Sequence, residues 1–237
     1  MKCSVHQPHF FPWLGYMAKI ASSDVFVVLD DVQFTRRNFQ NRCKIISSNG
    51  AENWLTVPLT PAPQSQRIHE MKISSHGDLK NFLHKMDAVY KKSAYYPLYR
   101  TEIAEILLQP HENLMALTLH TMKWLLQVFN IPMGLSYRSS ALKLAREIDP
   151  NQRIIEICRY HGANQYIAGS GGKNYMQLSM FEEAGIEILW QDFKHQPIKY
   201  PSIDGQVHFG LSSLDALFAL GPQDRKSTRL NSSHTVI

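Results

Sequence analysis

Residues 25–30 read VFVVLD, an unbroken β-branched and aromatic run with no polar residue before Asp30. A strand that is apolar on both faces has to be covered on both faces, as helices do for a parallel sheet. The residues in front of it supply its partners. Residues 2–6, KCSVH, read as a first strand. Leu14, Met17, Ala18 and Ala21 then recur at helical spacing behind Pro12, which suits the first turn of a helix because its missing N–H is no loss there. Strand, helix and buried strand in this order predict a βαβ opening with parallel strands.

The rhythm then changes. Ile45 and Ile46, a turn at Asn49-Gly50 and the run from Trp54 to Leu59 predict a hairpin. A Pro-rich loop, TPAPQSQ, leads to a further predicted strand, IHEMKIS, and then to helices over 78–91, 98–108 and 112–129. Alternation returns with a strand at MGLSY, a helix over 151–160, a strand at QYIAG, a helix over 176–183 and a strand at IEILWQ. A last helix, LSSLDALFAL, has Ser212 or Ser213 as its cap. The expectation is one α/β domain over residues 1–223, a parallel-sheet core opened by a βαβ unit, with a β-hairpin and helical insertion over about 40–130.

The stretch DRKSTRLNSSH resembles the one-frame translation of a sequencing-library adapter, so residues 224–237 are read as an artefact, and the native chain is expected to continue past Gln223. That tail carries three basic residues and one acid, and without it the formal charge falls from +5 to +3. So small a surplus, with no recognised nucleic-acid module, argues against nucleic-acid binding. The 44% hydrophobic and 19% charged residues are those of a globular chain. No apolar run reaches the roughly 18–20 residues of a membrane helix, and no apolar signal segment precedes HQPH. Three widely spaced cysteines without a CxxC pair suggest reduced thiols, and the expected location is the cytoplasm.

Three unusual stretches each follow a predicted strand, and in a parallel sheet all such turns leave from the carboxyl edge, where ligands bind. The first is HQPHFFPWLG. A helix starting near Pro12 would aim its unpaired N–H groups toward His6 and His9, an arrangement suited to phosphate or carboxylate, with the imidazoles as hydrogen-bonding or proton-transferring catalytic candidates and Gln7 as a binding candidate. The alternative is a hydrogen-bonded strand end with Phe10, Phe11 and Trp13 in the core. The second is LDDVQFTRRNFQNR. Asp30 or Asp31 could hold Mg²⁺ on a nucleotide or act as a base, and alternation along an extended chain allows at most one of them to face the crevice. Arg36, Arg37 and Arg42 suit bidentate binding of an anion, unless they simply neutralise the two acids. The third is AGSGGKNY, where Gly169 and Gly171 permit close approach and Lys173 adds charge; a plain strand–helix turn is the alternative.

Several familiar chemistries are missing. AGSGGKNY is not a Walker A loop, because Ile167 and Asn174 occupy positions that need Gly and Ser or Thr. His6-x-x-His9 has zinc-like spacing without HExxH or a cysteine pair to support it, so no metal site is expected. No GxSxG elbow occurs.

The blocks HQPHFFPWLGYMAKIASSDVFVVLDDVQFTRRNFQNR, WLTVPL, YIAGSGGKNYM and LSSLDALFALGP together resemble the WbqC-like family of bacterial proteins, from the first strand to Pro222. The resemblance implies a cytosolic part in making a surface-polysaccharide precursor such as that of O-antigen, because members often lie in such gene clusters, and it implies no particular mechanism. The expected function is a group transferase, or a nucleotide-dependent activating enzyme, acting on an amino sugar or nucleotide-linked sugar. The histidine-bearing turn also looks loosely like that of nucleotidylyltransferases, without their HxGH spacing. The cofactor stays open, Mg-nucleotide being one choice. The second reading is a non-catalytic subunit that binds a sugar nucleotide or a protein of the same pathway. An enzyme should gather His6, one of the two acids and an arginine in one crevice; a partner-binding protein should disperse them around a flat apolar patch.

Overall fold

One sheet organises the molecule, a computed structural model that describes residues 1–47, 50–74, 76–132, 135–144, 148–193, 208, 210–222 and 232–235. In chain order the elements are β1 (Lys2–His6), α1 (Leu14–Ala21), β2 (Val25–Val28), β3 (Arg42–Ile46), β4 (Glu52–Thr56), α2 (His76–Tyr90), α3 (Tyr96–Leu108) and α4 (Leu114–Val128). They continue with β5 (Leu135–Arg138), α5 (Pro150–Tyr160), β6 (Gln165–Ala168), α6 (Leu178–Glu183), β7 (Glu187–Phe193), α7 (Ser213–Leu220) and β8 (Ser232–Thr235). The sheet runs β5-β2-β1-β6-β7-β8; the first five strands are parallel and β8 is antiparallel to β7. The parallel strands thus alternate with helices in an α/β fold, and β3–β4 form a separate antiparallel hairpin.

Alternation along β1 and β2 divides the core between the two faces of the sheet. Phe26 and Val28 face α1, where Tyr16, Met17 and Ile20 join the helices of the insertion and α7 in one buried cluster. Cys3, Val5, Val25 and Val27 face the other way, onto Ile154, Ile157 and Cys158 of α5 and Phe181 of α6. The double coverage is what the apolar run of β2 requires. Among the described residues no helix is long and apolar enough to cross a membrane.

Two local expectations are corrected. Helix α1 starts at Leu14 with Trp13 as its cap, so Pro12 lies before the helix rather than in its first turn. The cause is Phe11, whose φ of 42° reverses the chain, held there because its carbonyl accepts from Ser212 Oγ at 2.8 Å while the Pro12 carbonyl accepts from the Ser213 N–H at 2.9 Å. Residues 68–74 form no strand. Ile68–Glu70 is a 3-10 turn, closed because Glu70 Oε2 accepts from the Arg67 N–H at 3.1 Å and the His69 N–H is drawn to the Asp30 carbonyl at 3.0 Å. Only an isolated Leu59–Ile73 bridge remains there. The hairpin forms with Cys43 opposite Leu55. Asn49 of its turn, Met133 and Gly134 of the strand expected at MGLSY, Gln223, and residues 224–231 and 236–237 of the tail lie outside the described residues.

Candidate functional site

Counting only the parallel strands, the sheet order is 3-2-1-4-5, and the order reverses between β1 and β6. At such a switch point the following segments diverge to opposite faces and leave a crevice at the carboxyl ends of the strands. The crevice here has a volume of about 780 Å³. His6 and Gln7 reach it from the end of β1, Asp31 from beyond β2, Gly169 and Gly171 from beyond β6, Lys19 from α1 and Arg153 from α5. Arg67 enters from the insertion, because the segment after β2 turns back along residues 64–68: Phe34 N–H donates to Gln66 O at 2.8 Å and Ile68 N–H to Val32 O at 3.0 Å.

His6 is half-buried, and its Nδ1 lies 3.0 Å from the Gln7 carbonyl. A carbonyl only accepts, so Nδ1 carries the proton and Nε2 is left as an acceptor. Burial, with Lys19 nearby, pushes the imidazole down to about 3, so His6 is neutral at physiological pH. His9 is buried instead, stacked between Tyr16 (centroids 4.8 Å apart) and Phe39 (5.1 Å), with the His6 ring edge-on at 4.8 Å. Among the described residues its Nδ1 has no hydrogen-bond partner, and burial, then His6 and Lys19, hold it well below the usual histidine range. Gln7 is oriented by Gln40, whose Nε2 donates to Gln7 Oε1 at 2.8 Å.

The adjacent acids have different surroundings. Asp30 is fully buried, and its carboxylate accepts from Arg138 Nε (2.6 Å), Ser139 Oγ (3.2 Å), Ser140 N–H (2.9 Å) and Ser140 Oγ (2.9 Å), clamping the end of β2 to the turn after β5. Asp31 lines the crevice and pairs with Arg153, and it shares the single Ser139 hydroxyl proton with Asp30. Each carboxylate is engaged by an arginine, and among the described residues no group of three His, Cys, Asp or Glu side chains converges as a metal cage.

The arginines named in the second stretch lie elsewhere. Arg36 and Arg37 are exposed and line a neighbouring crevice of about 830 Å³, separated from the first by Gln33, which borders both. The Arg42 guanidinium sits 3.8 Å from the Trp54 ring and donates to the Arg37 carbonyl. Lys173 is exposed, 5.4 Å from the Trp190 ring, and is not among the crevice side chains. Gly169 and Gly171 have open space where a Cβ would stand, whereas a Cβ on Gly172 would meet Met176 Sδ at 2.8 Å and Trp190 at 3.1 Å. Packing therefore accounts for Gly172, while no described residue comes within 4 Å of a Cβ at the other two.

Lys19, Arg67 and Arg153 are crevice residues that the sequence pattern did not single out. Lys19 carried a signal: a cation among the apolar positions of a helix packed on a sheet. The two arginines carried none, since they come from distant segments.

A model of the WbqC-like protein family matches residues 7–227 of the chain. The uncharacterized protein Rv1507c of Mycobacterium tuberculosis is 28% identical over 225 residues, covering 94% of this chain and 95% of that protein. No solved structure matches significantly.

Proposed function

The chain belongs to the WbqC-like protein family, and on that premise we propose that it is an enzyme of surface-polysaccharide precursor synthesis, O-antigen included, that transfers or activates a group on a sugar or nucleotide-linked sugar. The observation that supports the reading is the gathering of His6, Asp31 and two arginines, Arg67 and Arg153, in one crevice at the switch point of the sheet. About 780 Å³ suits a ligand of nucleotide-sugar size. In this reading Nε2 of neutral His6 accepts a proton from a substrate hydroxyl or amine, and Asp31 keeps the Arg153 guanidinium aimed at the anionic part of the substrate. Gly169 and Gly171 leave room for close approach. Arg36 and Arg37, one crevice away, would contact a second substrate rather than the reacting group. The three cysteines are free and buried, which fits a reducing cytoplasm.

One observation favours a purely binding role: an imidazole held near 3 is a weak base. The two readings part in a single experiment. Wild type, His6→Ala and Gly171→Ala are incubated with nucleotide-sugar pools, followed by mass spectrometry of the pool and of the retained ligand. An enzyme yields a new product in wild type that His6→Ala abolishes. A binding subunit retains an unchanged ligand in wild type and loses it in Gly171→Ala. A product formed equally by all three proteins rejects the crevice as the site.

A further inference from the structure

We propose that Lys19 is the anchoring cation for a phosphate or diphosphate group in the crevice, an inference that rests on reading the crevice as a small-molecule site. Lys19 lies in the last turn of α1, 3% exposed, yet its side chain reaches the crevice beside Val5 and Tyr166. Its Nζ donates to the Val5 carbonyl at 3.1 Å and sits 5.7 Å from the centre of the Tyr166 ring. Among the described residues no carboxylate forms an ion pair with it, and the one acid in the crevice, Asp31, is taken by Arg153. A buried charge is ordinarily paired, so the missing counter-ion points to one brought in by a ligand.

The charge balance names the class. Among the described residues, Lys19, Arg67 and Arg153 line the crevice with Asp31 as the one acid, and His6 is neutral, which leaves a surplus of two positive charges among them. A doubly charged group matches that surplus, and the open space above Gly169 and Gly171, which line the same crevice, gives it room. Among the described residues, the ionisable side chains facing Lys19 are Cys3 and His6 on β1, His9 on the turn after it and Tyr166 on β6, with Asp31 and Arg153 lining the same crevice. Burial lowers Lys19 to about 8, with Cys3 opposing. A dianion at contact favours the ammonium again, so binding above that pH draws one proton into Lys19.

Calorimetry of the full chain at pH 8.5, in two buffers of different ionisation enthalpy, tests this with inorganic phosphate and uridine diphosphate as separate probes. Wild type should bind at least one probe with net proton uptake, and which one distinguishes a free phosphate site from a nucleotide site. Lys19→Met should bind at least tenfold more weakly without uptake. Lys19→Arg, which keeps a permanent cation, should retain binding and lose the uptake. Binding and uptake in Lys19→Met equal to wild type would overturn the inference; if Gly171→Ala then weakens binding, the crevice stands and Lys19 alone is wrong. Failure of wild type to bind either probe overturns both. Should Lys19→Met not fold, as judged by circular dichroism, Lys19→Arg decides: uptake that persists there belongs to another group.

Discussion

Arg153, in the first turn of α5, closes onto the carboxylate of Asp31 just beyond β2, with both side chains almost withdrawn from solvent at 10% and 8% exposure. A pair buried to this degree gives little net stability over an apolar substitute, but breaking it leaves one charge stranded. Arg153→Ala should therefore cost about 3–5 kcal/mol in urea denaturation, while Asp31→Asn with Arg153→Met should cost clearly less. Equal losses in the single and double variants would mean that Arg153 matters for packing rather than charge.

A second carboxyl group lies far from the crevice. Asp215, in the first turn of α7, is buried; its Oδ1 accepts from Ile46 N–H at 3.2 Å and Tyr90 OH at 2.9 Å. Burial raises it from 3.8 to about 8, so it is mostly protonated at neutral pH. The folded chain then holds a proton that the unfolded chain releases, and this group's contribution is full below about pH 4 and lost as pH rises through about 8. Relative to wild type, Asp215→Asn should gain stability steadily over that window and level off above it. Chemical denaturation at pH 5, 7 and 9 reads the difference, and a constant offset at all three would show that Asp215 ionises as readily folded as unfolded.

The opposite slope belongs to His9. Its pKa is depressed on folding, so the unfolded chain takes up a proton that the folded chain refuses, and stability falls as pH drops below about 6.5. Phe at this position would keep the stack between Tyr16 and Phe39 and remove the unpartnered Nδ1. His9→Phe should gain about 1 kcal/mol at pH 7, and the advantage should widen toward pH 5. Thermal unfolding across this range measures it; a loss of stability at pH 7 would indicate that the His9 ring nitrogens have a role in the fold that a phenyl ring lacks.

How far the sequence could be read follows from the range of the forces involved. The strand at residues 2–6, the buried strand from Val25 and the three helices of the insertion were legible because hydrophobic period and local propensity agree there. The second half of IHEMKIS, from Met71 to Ser74, alternates like a strand, but Glu70 satisfies the Arg67 N–H and Asp30 captures the His69 N–H, two contacts that no local pattern reports. In the crevice, His6, Asp31 and the glycines after β6 were visible as odd chemistry at strand ends. Arg36, Arg37 and Arg42 belong to the same run of residues as Asp31, yet the segment after β2 folds back on residues 64–68 and carries them to other surroundings. The cations that do line the crevice come from α1, α5 and the insertion, and only tertiary packing brings them together.

The place of β1 between β2 and β6 has a consequence for how the protein is made. One neighbour of β1 is local, but the other lies so far along the chain that the Met1 ammonium bonds to Asn164 Oδ1 across 163 positions. A nascent chain can zip β1 to β2 early, while the second seam has to wait until the chain has passed Ala168 and bears the entropy of a very large loop closure. Two of the three strand ends that frame the crevice therefore exist before the third arrives, and ligand affinity should emerge only in the last kinetic phase of refolding.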